Sequence, residues 1–139
     1  MGLAENKQIA QAFYDAANRG DMEACLGQLT SDVTWTNIGS TKYSGTYRGK
    51  DDLVGRLLEP LFSQLKAGIA STIDGMTAEA DVVVVQLRGT SETKDGRPYN
   101  NTYCHVLKMR GGKIADVTEY FDTELTSAVF GRLERANYR

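Results

Sequence analysis

Residues 99–130 read YNNTYCHVLKMRGGKIADVTEYFDTELTSAVF. Two runs of period-two alternation, 99–109 and 113–122, flank Arg110-Gly111-Gly112, and a glycine pair between such runs marks a hairpin turn. The alternation then gives way to TELTSAVFGRL, whose spacing suits a short helix closing one end of a sheet. Upstream, residues 69–77 and 82–94 also alternate, and Asp95-Gly96-Arg97-Pro98 supplies a second hairpin signal. Four antiparallel strands in succession are expected.

The first half of the chain has a different period. Residues 4–19 set Ile9, Phe13, Ala16 and Ala17 on one helical stripe that Gly20 closes, and Asp21 caps a short second helix carrying Met22, Cys25, Leu26 and Leu29. Val33 to Ile38 reads as a strand, and GSTKYSGTYRG at 39–49 as an irregular loop. From Asp51 to Lys66, Leu53, Val54, Leu57, Leu58, Leu61, Phe62 and Leu65 mark a wide apolar helix face that Pro60 should kink or break. Helices followed by a meander give an α+β domain. Its expected form is a cone, with N-terminal helices packed in a curved, mainly antiparallel β-sheet.

A length of 139 residues fits one domain, 1–139, large enough to fold without disulfide or metal. With 16 basic against 18 acidic side chains, the net charge of −2 gives no footprint for a nucleic-acid partner. The longest apolar run, Val82 to Val85, is too short for a membrane span, and MGLAENKQ lacks the apolar core of a secretory signal. The expected location is the cytoplasm. Cys25 and Cys104 fall in a helix and a strand pattern and read as free thiols. One histidine and two distant thiols do not make a zinc site, so neither a metal nor a cofactor is expected, a weak oxygen-ligand site from carboxylates staying formally open.

The element order resembles the nuclear transport factor 2-like superfamily, which includes ketosteroid isomerase, limonene epoxide hydrolase and the SnoaL-like polyketide cyclases. QAFYDAANRGDMEACLGQLTSDVTW near the start and YNNTYCHVLKMRGGKIADVTEYFDTELTSAVF near the end carry the likeness, which covers nearly the whole chain. Fold does not fix the reaction. Laid on ketosteroid isomerase, the chain has Phe13 in place of the tyrosine, Thr36 or Asn37 in place of the base and Cys104 in place of the acid, so steroid isomerisation is rejected. Against limonene epoxide hydrolase, Trp35-Thr36-Asn37 matches a Tyr-x-Asn with tryptophan replacing tyrosine, while Asp122 and Arg88 match its aspartate and arginine. Its proton-donating aspartic acid falls near Thr90, with Glu92 two residues on, and that match is incomplete. The SnoaL-like cyclases imply an acid/base aspartate in an apolar pocket, and Asp122 is the counterpart.

These likenesses set a strand parity. With Asp122 inward, so are Tyr120 and Thr118; with Cys104 inward, Thr102 and Val106; with Arg88 inward, Gln86 and Thr90. The opposite set, Tyr103, His105, Leu107, Val117, Glu119 and Phe121, then forms an outer face expected to pair two copies. Structural readings stand beside these. Asp122 suits the N-cap of the last helix, Arg88 suits a surface ion pair with Glu92 or another carboxylate, Trp35 and Tyr14 suit packing, and Cys104 suits a small inward hydrophobe. Histidine is the side chain that suits acid/base work near neutral pH, yet the parity of His105 favours a structural or interface role. The site expected is Asp122, Arg88 and Asn37 for catalysis, with Phe13, Trp35, Thr90, Cys104, Val106 and Tyr120 around a small hydrophobic ligand. The chemistry is cofactor-free acid/base work; the alternative is a non-catalytic binding or interaction module.

Overall fold

Ala10, Phe13, Tyr14 and Ala16 recur on one face of α1 (Leu3–Asn18), and that face is buried in the computed structural model, which describes residues 2–133. Gly20 turns the chain at φ +75°, and Asp21 caps α2 (Met22–Gly27) by accepting the Ala24 N–H at 3.0 Å. Six strands follow: β1 (Leu29–Asn37), β2 (Gly45–Arg48), β3 (Ala70–Glu79), β4 (Val82–Thr90), β5 (Thr102–Arg110) and β6 (Lys113–Phe121). They form one sheet in the order β2-β1-β6-β5-β4-β3, in which β1 runs parallel to β6 and every other neighbouring pair is antiparallel. The α+β class is as the sequence indicates, an N-terminal helix packed on a curved sheet. The ends of the expected 1–139 domain, residues 1 and 134–139, lie outside the described residues.

Two local expectations change, and the interruption expected of the third helix takes a particular form. The 39–49 loop contains β2, because pairing Trp35 with Tyr47 buries Tyr47 and lets its hydroxyl donate to the Tyr43 carbonyl at 2.7 Å. The third helix is built in pieces: α3 (Lys50–Asp52), a π-helical stretch (Leu53–Leu58) and α4 (Glu59–Phe62). The wide turns precede Pro60, which has no N–H for the carbonyl four residues back, and Glu59 bonds instead to Val54. Finally, β4 stops at Thr90 and β5 begins at Thr102. The segment between folds on itself through a Glu92–Pro98 bridge, and Arg97 Nη1 donates to the Val129 carbonyl of α5 (Thr123–Phe130) at 2.6 Å.

The Arg110-Gly111-Gly112 signal behaves as read: Arg110 pairs with Lys113, and Gly111 and Gly112 take φ of +59° and +78°. The strand parity does not. Val83, Val85 and Leu87 of β4, Tyr103, His105, Leu107 and Met109 of β5, and Ile114 and Val117 of β6 face the helices and are buried. Gln86, Arg88, Thr90, Thr102 and Tyr120 are exposed on the other face, with Cys104, Val106 and Thr118 half-buried among them. Burying the larger aromatic and aliphatic set, at about 1.5–3 kcal/mol per side chain, outweighs burying the smaller, more polar one. No helix among the described residues is long and apolar enough to cross a membrane.

Candidate functional site

Between the helices and the inner sheet face lies a cavity of about 460 Å³. Phe13, Tyr14, Trp35, Tyr103 and Phe121 supply aromatic walls, and Leu53, Leu57, Leu61 and Phe62 of the third helical segment close over them. Phe13, Trp35 and Asn37 therefore stand on the cavity wall. The Trp35 indole N–H donates to Asn37 Oδ1 at 2.8 Å, and Asn37 Nδ2 donates to the Tyr43 carbonyl at 3.1 Å, which fixes the carboxamide on β1.

The remaining candidates go elsewhere. Asp122 is exposed at the N-cap of α5, accepting the Leu125 N–H at 3.2 Å; it does not enter the cavity. Arg88 lies on the outer face and grips Asp74 through Nε at 2.9 Å and Nη2 at 2.8 Å, rather than Glu92. Each shifts the other: the guanidinium lowers the Asp74 carboxyl, and the carboxylate raises Arg88. Thr90 is exposed, Val106 half-buried, and Cys104 and Tyr120 share a shallow outer concavity with Gln86, Thr102 and Asp122. The parity that placed them inward is corrected with them.

Reversed parity delivers His105 and Glu119 to the wall, and the buried face of α1 adds Tyr14; the sequence reading gives all three no place in the site. Tyr14 comes from α1, His105 from β5 and Glu119 from β6, where His105 and Glu119 are cross-strand partners. Tyr14 Oη lies 2.7 Å from His105 Nδ1, and His105 Nε2 lies 2.8 Å from Glu119 Oε1. A carboxylate only accepts, so Nε2 carries a hydrogen; with a neutral imidazole, Nδ1 then accepts from the Tyr14 hydroxyl. Burial, reinforced by the Glu119 charge, raises Tyr14 well above the ordinary tyrosine range and keeps that hydroxyl protonated. Trp35 meets the imidazole edge-on at 5.5 Å and Tyr14 stacks on it at 5.7 Å, so two aromatic rings pack against it.

Glu119 Oε1 is committed to His105, whereas Oε2 accepts no hydrogen bond from the described residues, on a side chain that lines the cavity and is 16% exposed. A carboxylate on the wall with one oxygen uncommitted is a candidate to take a proton from an apolar guest. Among the described residues no group of three or more His, Cys, Asp and Glu side chains converges on a metal position. The signal that could have found this site was local. Tyr103, His105 and Leu107 alternate with Thr102, Cys104 and Val106, and the heavier set goes inside.

Residues 10–117 match the model of the SnoaL-like domain. No curated protein matches the chain. Among solved structures, a protein of unknown function with a cystatin-like fold from Xanthomonas campestris is 26% identical, with 91% of this chain and 98% of that one covered and a TM-score of 0.81. An NTF2-like protein of unknown function from Burkholderia pseudomallei is 21% identical over 94% of this chain and 98% of its own, at a TM-score of 0.82. TerC, co-crystallised with polyporic acid, is 24% identical over 86% of this chain and 93% of its own, at 0.77.

Proposed function

The chain belongs to the SnoaL-like domain family of the NTF2-like superfamily, and from that premise we propose that it binds an apolar small molecule in the cone and moves a proton on it. One observation carries the reading: the Tyr14–His105–Glu119 chain of hydrogen bonds ends in the carboxylate of a residue that lines an aromatic-walled cavity. TerC, crystallised with polyporic acid, lends support to a small-molecule occupant.

In this reading Glu119 is the acid/base group. Its Oε2 takes a proton from a carbon next to a carbonyl, the electron pair of that C–H bond passes to the carbonyl oxygen as an enolate, and the carboxylic acid returns the proton. His105 holds Oε1 and sets the direction of the free oxygen, and Tyr14 sets the tautomer of His105. These two are positioning residues. Asn37 and Trp35 hold each other and shape the wall.

The test uses 2-tetralone, an apolar ketone, in deuterium oxide, with loss of the α-proton signal followed by NMR. The protein is expected to speed exchange above buffer, Glu119→Gln to abolish the acceleration, and His105→Asn to cut it at least about tenfold. Binding of the ketone without accelerated exchange overturns the catalytic reading in favour of a pocket that only binds. A homodimer, in this reading, uses the opposite sheet face to the one expected, where Tyr120 is exposed and Val84, Cys104 and Val106 are half-buried among threonines. A sedimentation measurement returning a monomer at micromolar protein overturns that part alone.

A further inference from the structure

Among the described residues that line the cavity, only two carry a full charge, Lys66 and Glu119. Glu119 is engaged by His105 in the interior. Lys66 belongs to the mouth, because Gly20, Ala67 and Gly68 line the cavity with it and are themselves exposed. Its backbone is pinned there: Lys66 N–H donates to the Glu92 carbonyl at 2.9 Å, Leu65 bridges Thr93, and Lys94 N–H donates to the Gln64 carbonyl at 2.8 Å. The ammonium itself is loosely held. Its partner is Glu92 at 2.8 Å, with the two side chains 52% and 48% exposed, and a pair that open contributes little and is screened by salt.

We infer that Lys66 is a specificity-determining residue, and that the guest is an amphipathic acid whose apolar body fills the cone while its carboxylate meets Lys66 at the mouth. This rests on the small-molecule reading above and adds the charge of the ligand. A carboxylate at that place takes over the ammonium from Glu92, which turns to solvent, so no charge is buried without a partner. The body enters first, which brings its far end to Glu119 and leaves the acid group where hydration is kept. Glu92 then acts against the ligand by competing for Lys66 and repelling its charge.

The experiment compares 2-naphthoate with its methyl ester, each titrated into the full chain while Trp35 fluorescence is followed, at low salt. The wild-type protein is expected to prefer the acid; Lys66→Met is expected to weaken the acid about fivefold and leave the ester within twofold, the scale of one exposed charge contact. Glu92→Gln is expected to tighten the acid alone. Equal binding of acid and ester in wild type and both variants overturns the role of Lys66 while leaving the pocket standing. Failure of both probes to bind overturns the pocket reading, and this inference with it.

Discussion

Asn18, at the end of α1, grips the backbone of Ser71 with both ends of its carboxamide: Nδ2 donates to the Ser71 carbonyl at 2.9 Å, and Oδ1 accepts the Ser71 N–H at 2.8 Å. The clamp joins the first helix to the start of β3, and Ser71 itself lines the cavity. Two hydrogen bonds at an exposed side chain are worth about 1–2 kcal/mol together. Asn18→Ala should lower the unfolding free energy measured in urea by that amount and raise hydrogen exchange at the Ser71 amide. Asn18→Asp should do no better, since a carboxylate cannot donate to the carbonyl. An unchanged Ser71 exchange rate in both variants contradicts the clamp.

Asp122 accepts the Leu125 N–H, and this cap is its visible task. Asn caps as well as Asp, while Ala forfeits about 1 kcal/mol. Asp122→Asn should therefore melt like the wild type and Asp122→Ala somewhat lower, and both should exchange deuterium into 2-tetralone at the wild-type rate. Loss of exchange in a stably folded Asp122→Asn protein returns the acid/base role to this residue.

The difference between Asp122 and Glu119 shows how far the sequence could be read. Element types follow from period and punctuation, and α1, the capped α2 and the glycine turn at 111–112 are all legible. Parity in β6 is not, because Lys108 pairs with Asp116 while Met109 pairs with Ile114. A bulge at Ala115 absorbs one residue, so both Ile114 and Val117 point inward. Counting in twos from Ile114 arrives at Asp122; counting after the bulge arrives at Glu119. In β4 the run Val82 to Val85 is apolar on both faces and carries no parity at all. In β5 the alternation is plain and puts the heavier Tyr103, His105 and Leu107 inside; the alignment of Cys104 with a family acid points the other way. Phe13, Trp35 and Asn37 escaped this ambiguity because α1 has one apolar stripe and β1 alternates Val33, Trp35 and Asn37 against threonines.

Alkaline conditions should weaken the fold. Burial holds the Cys25 thiol up at about 11 against an ordinary 9.0, and burial likewise raises Tyr14 and Tyr103 well above 10.0. Each group keeps its proton to higher pH in the folded chain than in the unfolded one. The unfolded chain is then the first to lose protons, so stability is full below about pH 9, falls as pH passes from 9 to 11, and falls further once unfolded tyrosines ionise above 10. Urea midpoints taken from neutral pH to 11 should decline steadily, and Cys25→Ala should flatten the first part of that decline. A level profile across this range is incompatible with the three buried groups.

Gly89 is where the wall of the cavity leaves no space for a side chain. A Cβ there would lie 2.7 Å from Ile69 Cγ2 and 3.0 Å from Tyr103 Cε2, and both residues line the cavity. Gly89→Ala must displace one or both, an overpacking that costs about 1–3 kcal/mol. The strain falls mainly on the Ile69 methyl, so removing that methyl should relieve it. Ile69→Ala alone loses packing and destabilises; combined with Gly89→Ala it should cost less than the two single changes added together, by at least about 0.5 kcal/mol. Urea unfolding of the four proteins gives the coupling directly. Strict additivity would mean that Gly89 is free of Ile69, and the close approach of β4 to the chain just before β3 would have to be given up.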